Sequence, residues 1–556
     1  MSTVRTHARN LAANWVGQAS GMIVIMVLSP YLLHHLAKTD ELSKIEYGIW
    51  SLMNVFTGYL GVFDLGVRAS TGRYVILYLG RGDRAGVTDT LKTGLSFFSL
   101  LSLAILGLAF VGGWAFPTMF PSVPPEFHAT VRILLPLLAV NIWLGALGGA
   151  FASVLAAHDR FDLATGVDVT VLALRTAATV AVVMAGYGIV GMTVVIVCGS
   201  ALGVVGNWAL AYRVYPHFEI WPPRIVREKL RELLGFGIAT FLGNLVVTLF
   251  GQADILIVGV VLGVPAVAVY SVGATIVWYS GPFIDKIAGT IFPTLQRDMA
   301  VGDLSAVRWT YLRLVKVIVL IGLPAYIGFA VFGGVFIRLW VGDGFADAFT
   351  VMVLLSASRL VTLWSGAAGT LLYATGNAWF LTITSGVEAV LKLAFSLALV
   401  LVVPWGLGGV AAGALLSAVA VRLVILPRYA HRRISLTNRT FLVQTVVPGV
   451  LGGAAYAGWC LLVRECVAGN TWLLFSGQIV AALAGYAVIA MVLLVPQGDR
   501  QRVWRWLRPA AARNAPAAPN ETKDSAPDPA PADPSQTRAV AGPGRLDGGR
   551  TDGVIP

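Results

Sequence analysis

Long apolar runs recur along the chain between residues 10 and 495, and they constrain the fold more than any other feature of the sequence. A helix needs about 20 apolar residues to cross the hydrocarbon core of a bilayer, and the runs have that length. Only 12% of the 556 residues are charged, about half the share in ordinary soluble domains. Because backbone in lipid must satisfy its hydrogen bonds internally, the runs predict an all-α, polytopic membrane protein with about 14 transmembrane helices.

The predicted spans follow one another closely, with tight turns at 186–188 (GYG) and 403–409 (VPWGLGG). The apolar stretch in the first span, Leu11–Leu33, is too long for the core of a cleavable signal peptide. We therefore interpret it as a transmembrane helix. The predicted spans are 10–36, 46–70, 91–115, 130–157, 163–186, 188–213, 235–262, 265–292, 315–340, 348–373, 378–402, 406–430, 441–465 and 471–495.

Basic residues occur mainly in every second loop, which predicts the orientation of the chain. The positive-inside rule places such loops in the cytoplasm, so we expect both termini there, in a multi-pass protein of the cytoplasmic (inner) membrane. The net charge of +12 does not predict a nucleic-acid partner, because these residues separate apolar runs instead of covering one soluble face. The basic loops carry Arg5 and Arg9; Arg73, Arg81, Arg84 and Lys92; Arg160; Arg224, Arg227, Lys229 and Arg231; Arg297, Arg308 and Arg313; Arg428, Arg432, Arg433 and Arg439; and Arg500, Arg502, Arg505 and Arg508.

An internal repeat predicts the domain organisation. Three pairs of landmarks recur at offsets of 220 to 223 residues: Tyr47 with Tyr270, Asp64 with Asp285, and Asp168 with Glu388. We expect two six-helix lobes, 1–213 and 235–430, joined by a cytoplasmic linker at 214–234. Such a parallel repeat would enclose a cavity between the lobes. Two additional helices fill 431–497. Chance similarity within an apolar chain is the alternative.

The composition changes abruptly after Trp506, where proline and alanine dominate and the charges are scattered. Such a segment cannot bury enough apolar surface to fold. We therefore expect residues 498–556 to form a cytoplasmic tail that is disordered from about residue 510. An unconstrained extension and a regulatory segment are both compatible with this composition.

Five charged residues fall deep within predicted spans. Arg359 is about 16 Å into its span by helix rise, close to the bilayer midplane, and the others are Arg175, Lys392, Asp168 and Glu388. Charged side chains at such depth face a bundle interior or a wet cavity. The three cations leave one excess positive charge over the two carboxylates, which predicts an anion-binding lumen. Glu388 and Lys392 share one face of their helix at i, i+4. Structural ion pairs between helices are the alternative.

Two further charged pairs lie near the cytoplasmic ends of their spans. Asp64 and Arg68 are spaced i, i+4, and Asp285 with Lys286 occupies the equivalent place in the second half. We expect Asp64 and Arg68 to face each other on one helix. Their function would be a cytoplasmic gate, and the alternative is a pair of charges that anchors helix ends at the interface.

Motifs of enzymes and metal sites are missing from the sequence. It contains no GxxxxGK[ST], GxSxG or HExxH pattern, and the three cysteines have no metal-ligand spacing. The chain is therefore predicted not to be an enzyme, to bind no metal and to need no cofactor. Aromatic residues at membrane depth could stack on sugar faces or simply pack. They are Trp143, Trp278, Tyr279 and Trp364, and the cysteines are Cys198, Cys460 and Cys466.

The chain resembles polysaccharide flippases of the multidrug/oligosaccharidyl-lipid/polysaccharide (MOP) superfamily, the Wzx-type O-antigen and exopolysaccharide exporters. The resemblance lies in YGIWSLMNVFTGYLGVFDLGVRASTGRYV (Tyr47–Val75), similar to their second span and following loop. It also lies in GNLVVTLFGQADILIVGVVLGVPAVAVYSVGATI (Gly243–Ile276), similar to their seventh and eighth spans. The helix count fits from residue 1 to about residue 495, and the tail does not belong to the pattern.

The resemblance implies that the protein moves an undecaprenyl-diphosphate-linked oligosaccharide from the inner to the outer leaflet by alternating access. Arg175, Arg359 and Lys392 would bind the diphosphate, and Asp168 and Glu388 would tune them or carry a proton. Coupling to H+ or Na+ is permitted but not required, since the membrane potential already drives anions outward. Polymerase and chain-length machinery of O-antigen or lipopolysaccharide synthesis would be partners.

Three other functions fit the same composition. A lipid II flippase is said to depend on arginines in its first two helices, and the first span here, Asn10–Leu36, contains no lysine or arginine. A multidrug exporter of the same superfamily would need an acidic cavity for cationic drugs. A non-transporting scaffold of a polysaccharide-synthesis complex would not need the buried cations at all.

Overall fold

The computed structural model describes the backbone of residues 2–36, 40–467, 469, 471–495 and 500. Side chains are described in the same ranges except at 2–14, 40, 239–240, 242–244, 246–247, 249–250, 282–283, 285–291 and 378. Residues up to Pro496 form one compact unit. The predicted tail, 498–556, lies outside the described residues except for Arg500, so its disorder stays a prediction.

The described chain is helical throughout, without a strand in the described ranges. Its α-helices are α1 (Ser2–His35), α2 (Asp40–Val62), α3 (Val67–Gly80), α4 (Arg84–Met119), α5 (His128–Ala157), α6 (Phe161–Met184), α7 (Gly188–Val214), α8 (Arg227–Gly251), α9 (Ala253–Ile257), α10 (Val264–Val301), α11 (Leu304–Val341), α12 (Ala348–Ala374), α13 (Ala378–Leu401), α14 (Gly406–Ala418), α15 (Leu426–Arg433), α16 (Asn438–Phe441), α17 (Val447–Cys466) and α18 (Trp472–Ile489). Short 3-10 turns lie at Pro125–Phe127 and Asp343–Phe345, and π-helical segments at Val258–Leu262, Val419–Ile425, Leu442–Val446 and Ala490–Leu494.

Twelve helical segments among the described residues are long and apolar enough to cross a membrane. Two more helices, α2 with 23 residues and α8 with 25, have membrane-spanning length but are not among the twelve. Together they match the expected number of about 14. The prediction of an all-α, multi-pass membrane protein is therefore confirmed, whereas the division into lobes and linker stays a prediction.

The FDLG sequence at 63–66 interrupts the second predicted span. Helix α2 ends at Val62, Leu65 and Gly66 have φ of 52° and 71°, and α3 begins at Val67. A Cβ at Gly66 would overlap the carbonyl oxygen of Gly237 on α8. Gly66 therefore supplies both a left-handed backbone and a close helix approach. The expectation of one continuous helix over 46–70 was wrong at this turn.

The seventh predicted span, 235–262, is also interrupted. Helix α8 ends at Gly251, and Gln252 leaves the helical region with φ −110° and ψ 5° before the short α9. The π-helical segment Val258–Leu262 follows and ends at Gly263, whose φ is 93°. Irregular backbone at membrane depth is tolerated where protein buries it or where it lines a cavity. This interruption positions the site.

One end of α2 is joined to helices from the second half of the chain. A Cβ at Gly48 would overlap the carbonyl oxygen of Val264, so α2 and α10 lie in close contact there. At the same end Lys44 Nζ donates to the carbonyl oxygen of Gly344 at 2.9 Å. The indole of Trp340 on α11 donates to the carbonyl oxygen of Met26 on α1 at 2.6 Å. These contacts close the two halves against each other on the side where α1 ends and α2 begins.

Candidate functional site

Two cavities lie on either side of the α8–α9 interruption. Gly251 and Asp254 face one cavity, whereas Gln252 and Ile255 face the other. The indole of Trp278 on α10 lines both. The non-helical backbone at Gln252 thus makes consecutive residues line different cavities.

The first cavity, about 480 Å³, contains five charged residues and is here called the cationic cavity. Its basic residues are Arg359 on α12, Lys392 on α13 and Arg422 in the π-helical segment Val419–Ile425. Its acidic residues are Asp254 and Glu388. Among the described side chains, three cations against two carboxylates leave one excess positive charge.

Two ion pairs account for both carboxylates of the cationic cavity. Lys392 Nζ lies 2.8 Å from Asp254 Oδ2, which also accepts a hydrogen bond from the Tyr270 hydroxyl at 3.0 Å. Arg422 Nε lies 2.6 Å from Glu388 Oε2. Each pair joins two different helical segments, so the charges connect α9 to α13 and α13 to the π-helical segment before α15.

Arg359 carries the remaining positive charge of the cationic cavity. Within the described part of the chain its guanidinium makes no ion pair. A Cβ at Gly281 would lie 3.8 Å from its Cζ, so α10 passes the guanidinium closely without a side chain. A guanidinium without a carboxylate partner among the described residues, in a cavity of about 480 Å³, is suited to bidentate contact with phosphate. Hydroxyl groups also line this space, from Ser358, Thr362, Ser365, Ser385 and Ser417.

The second cavity, about 510 Å³, is rich in aromatic and uncharged polar side chains and is here called the aromatic cavity. Arg175 on α6 is its one charged lining residue. A Cβ at Gly199 on α7 would overlap the stem of Arg175, which explains the glycine at that position. Arg175 has no ion-pair partner among the described side chains. The aromatic lining residues are Tyr47, Trp50, Trp278 and Tyr279, and the uncharged polar ones are Ser29, Ser51, Asn54, Thr176, Thr179, Gln252, Ser271 and Thr275.

The structure places four of the five predicted lumen charges in these cavities. Arg359, Lys392 and Glu388 line the cationic cavity, and Arg175 lines the aromatic cavity. Asp168 lies two turns before Arg175 on the same face of α6 but is exposed and lines neither cavity. The roles predicted for these residues stay predictions.

Glu388 and Lys392 both form ion pairs between helical segments, which is the alternative that the sequence left open. They are four residues apart on α13, but each pairs with a residue from another segment, Arg422 and Asp254 respectively. Salt bridges between helices fix the orientation of both elements, which an i, i+4 pair on one helix cannot do.

The predicted gate residues are only partly described. Asp64 lies in the turn between α2 and α3, where its Oδ1 accepts a hydrogen bond from the backbone N–H of Gly66 at 2.7 Å. It makes no salt bridge with Arg68 within the described residues, because Arg68 is on the next helix with its stem against Gly149. The side chains of Asp285 and Lys286 lie outside the described residues, so the gate stays a prediction.

Sequence reasoning missed two charged residues and most of the polar lining. Asp254 stands in the quoted stretch Gly243–Ile276, and Arg422 stands inside the predicted span 406–430. A count of charges within spans would have found both. The described lining of the cationic cavity has an excess of one positive charge, and with Arg175 in the aromatic cavity the excess is two, since Asp168 lines neither. Of the predicted aromatic residues, Trp278 and Tyr279 line the aromatic cavity. Trp143 lines two other hollows and donates a hydrogen bond to Ser99, and Trp364 donates one to the Thr445 carbonyl oxygen.

The amino-acid sequence is similar to those of proteins of polysaccharide biosynthesis. A sequence profile described as "Polysaccharide biosynthesis protein" matches residues 94–350. A protein of Shigella flexneri described as "Putative O-antigen transporter" is 22% identical over 314 residues, which are 56% of this chain and 72% of that protein. These matches confirm the resemblance to polysaccharide-biosynthesis proteins, one of which is described as a transporter.

Solved structures with the same arrangement of helices include two described as transport proteins. The inward closed conformation of the lipid II flippase MurJ has a TM-score of 0.65 at 13% identity, covering 87% of this chain and 98% of that one. The inward-facing conformation of a multidrug resistance MATE family transporter of the MOP superfamily has a TM-score of 0.58 at 15% identity, covering 74% and 98%. At these identities the likeness concerns the fold.

Proposed function

We propose that this chain, which has the fold of the MOP superfamily and resembles its polysaccharide-biosynthesis transporters, is a flippase for a lipid-diphosphate-linked oligosaccharide. It would move an O-antigen or exopolysaccharide repeat unit from the inner to the outer leaflet by alternating access. The observation that carries the proposal is the cationic cavity, in which Arg359 has no carboxylate partner among the described residues. Charge is costly at membrane depth, so an uncompensated cation there indicates an anionic ligand.

The diphosphate is the part of such a substrate that Arg359 would bind. A guanidinium presents two parallel N–H groups to phosphate oxygens, and the surrounding hydroxyl groups can donate further hydrogen bonds. The polyprenyl tail would remain in the bilayer, where its apolar surface is already solvated. The cavity therefore needs to accommodate only the polar head of the substrate.

Lys392 and Arg175 are secondary candidates for the same role. Lys392 is held by Asp254 at 2.8 Å, so its ammonium would have to share this carboxylate with the diphosphate. Arg175 has no such partner among the described residues but faces the aromatic cavity. We expect Arg359 to dominate the affinity for the diphosphate, and Arg175 to act when the substrate occupies the neighbouring space.

The membrane potential can drive the proposed transport. A charge that crosses the potential gains about 2.3 kcal/mol per 100 mV, and a diphosphate would leave an inside-negative cell with about two negative charges. Exchange for H+ is an additional proposal, in which Glu388 would bind the proton and release Arg422. Asp168, exposed on α6, is the second candidate carboxylate.

The proposal includes a location and partners. The protein would lie in the cytoplasmic (inner) membrane with both termini in the cytoplasm, and it would carry out no covalent chemistry. A polysaccharide polymerase with its chain-length machinery would use the substrate after it reaches the outer leaflet.

Removal of the Arg359 charge tests the proposal. We expect Arg359→Gln to reduce polymer export at least tenfold, since charged hydrogen bonds contribute about 1.5–3 kcal/mol. Arg359→Lys, which keeps the positive charge, should retain part of the export. Export would be measured in cells at matched membrane abundance, and flipping of the extracted lipid-linked oligosaccharide would be measured in proteoliposomes. Arg132→Gln is the matched control, because Arg132 lines neither cavity and stacks on Trp114 at 4.0 Å. Normal export by Arg359→Gln would favour the scaffold over the flippase.

A further inference from the structure

We propose that the aromatic cavity is the subsite for the glycan, and that Trp278 separates it from the diphosphate subsite in the cationic cavity. This inference rests on the proposed function. It assigns the two polar parts of the substrate to two chemically different spaces that share one indole.

The lining of the aromatic cavity fits a neutral ligand with many hydroxyl groups. Four aromatic side chains provide flat apolar faces, on which the C–H faces of a pyranose ring can pack. Side-chain amides and hydroxyls both donate and accept hydrogen bonds, as sugar hydroxyls require. A single basic residue, Arg175, lines this cavity, against five charged residues in its neighbour.

Unpartnered polar atoms in this cavity point to a missing hydrogen-bond partner. Ser271 is 5% exposed, and its hydroxyl has no hydrogen-bond partner among the described residues. The same holds, within the described part of the chain, for the buried carbonyl oxygen of the Gln252 side chain. Buried polar groups in folded proteins are nearly always hydrogen-bonded. Both atoms belong to residues that line the aromatic cavity, one on α10 and one at the α8–α9 junction, so a rotation of either side chain towards the cavity would let a sugar hydroxyl supply the partner.

The adjacency of the two cavities matches the covalent structure of the substrate. The first sugar is bonded directly to the diphosphate, so its binding site must adjoin that of the diphosphate. Trp278 lines both spaces, and Gly251 and Gln252 are consecutive residues that face opposite sides. The two proposed subsites therefore share Trp278 and the Gly251–Gln252 step as a common boundary, which gives the adjacency that a sugar bonded to a diphosphate requires.

Two lipid probes separate the proposed subsites. The first is undecaprenyl diphosphate, which carries no sugar, and the second is the lipid-linked oligosaccharide pool extracted from the cells that make this protein. Binding of each probe to the full-length protein in nanodiscs would be measured together with its thermal stability. We expect the wild-type protein to bind the sugar-bearing pool more tightly than undecaprenyl diphosphate.

The volume-conserving variants Gln252→Met and Ser271→Ala should reduce this preference about three- to tenfold, as expected for loss of one or two hydrogen bonds. Their affinity for undecaprenyl diphosphate should not change. Arg359→Gln should weaken the binding of both probes. The matched control is Ser102→Ala, a buried serine on α4 that lines neither cavity; it should alter neither affinity.

Several results would overturn the glycan subsite while the flippase proposal stands. They are equal wild-type affinity for both probes, an unchanged preference in the two variants, or an equal loss of affinity for both probes. Failure of the flippase proposal looks different, because the wild-type protein would then bind neither probe, or Arg359→Gln would bind undecaprenyl diphosphate normally.

Discussion

At the scale of single residues, the ion pair between Lys392 and Asp254 is the strongest constraint in the cationic cavity. The Asp254 side chain is 2% exposed and that of Lys392 is 17% exposed. Removing water from two charges is costly, and their attraction repays that cost only while both are present. The pair therefore acts as a unit, and each partner depends on the other.

Neutralisation of one partner should destabilise the protein more than neutralisation of both. We expect Lys392→Met to lower the free energy of unfolding by about 3–5 kcal/mol, because it leaves the Asp254 carboxylate buried and unpaired. Asp254→Asn combined with Lys392→Met should recover most of that loss. Thermal unfolding in detergent would measure both variants. Equal stabilities for the single and the double variant would contradict a coupled pair.

The second ion pair should determine how transport depends on pH. If Glu388 carries a proton, Glu388→Gln should depress transport and flatten its pH dependence, because the variant cannot titrate. Glu388→Asp is the matched control, since it keeps a carboxylate near Arg422. Transport would be measured in proteoliposomes across a range of external pH. An unaltered profile in Glu388→Gln would eliminate this residue as the proton carrier.

The sequence predicted which residues of the site carry charge but not how they pair. Arg359 was found from its depth alone, because a cation near the midplane must face a wet cavity or an ion-pair partner. Its isolation from carboxylates depends on Asp254 pairing with Lys392 and Glu388 with Arg422, contacts between segments that are far apart in sequence. Spacing within one helix cannot determine such contacts.

At the scale of helices, apolar length predicted the spans and missed their interruptions. Hydropathy measures transfer of side chains into lipid, and it does not detect a change in backbone direction. FDLG at 63–66 and the Gly251–Gln252 step are both short, and neither lowers the hydropathy of its run enough to divide it. Both interruptions nevertheless determine where side chains point, so the shape of the cavities could not be derived from the runs.

The turn between α2 and α3 should not tolerate a side chain. Gly66 has a φ of 71°, and an added Cβ would overlap the Gly237 backbone. A left-handed non-glycine residue costs about 1–2 kcal/mol, and overpacking adds about 1–3 kcal/mol. We therefore expect Gly66→Ala to lower the thermal midpoint by several degrees. Gly61→Ala on α2 is the control, because nothing lies within 4 Å of its added Cβ; an equal shift in both variants would contradict the close approach.

At the scale of the whole molecule, the contacts between the two halves suggest which side of the protein is closed. Lys44 and Gly48 on α2 contact Gly344 and Val264, and the positive-inside rule predicts this end to be the outer one. Lys44 also lies over the Phe345 ring, with its Nζ 5.1 Å from the centroid. Alternating access requires these contacts to break when the outer side opens.

Loosening the outer contacts should shift the protein towards its outward-open state. Ser51 lines the aromatic cavity one turn along α2 from Gly48, so a thiol there reports access to the cavity. In a background without Cys198, Cys460 and Cys466, Ser51→Cys should react slowly with an impermeant maleimide added from outside. Lys44→Ala should increase this labelling severalfold. The variant loses contacts that stabilise the closed state, so the equilibrium without ligand shifts towards the outward-open state by the free energy of those contacts.

The labelling of Ser51→Cys depends both on the membrane orientation of the chain and on whether Lys44 holds the outer side closed. One control variant separates these two effects. Glu126 is exposed in the loop between α4 and α5, which should face outside, so Glu126→Cys should react from outside with or without Lys44→Ala. If Glu126→Cys is protected, the orientation is reversed and the seal faces the cytoplasm. If Glu126→Cys reacts and Ser51→Cys labels equally fast in both backgrounds, Lys44 does not hold the outer side closed. The first outcome would move the seal to the cytoplasmic side, and the second would remove Lys44 as a contact that must break for alternating access at this end.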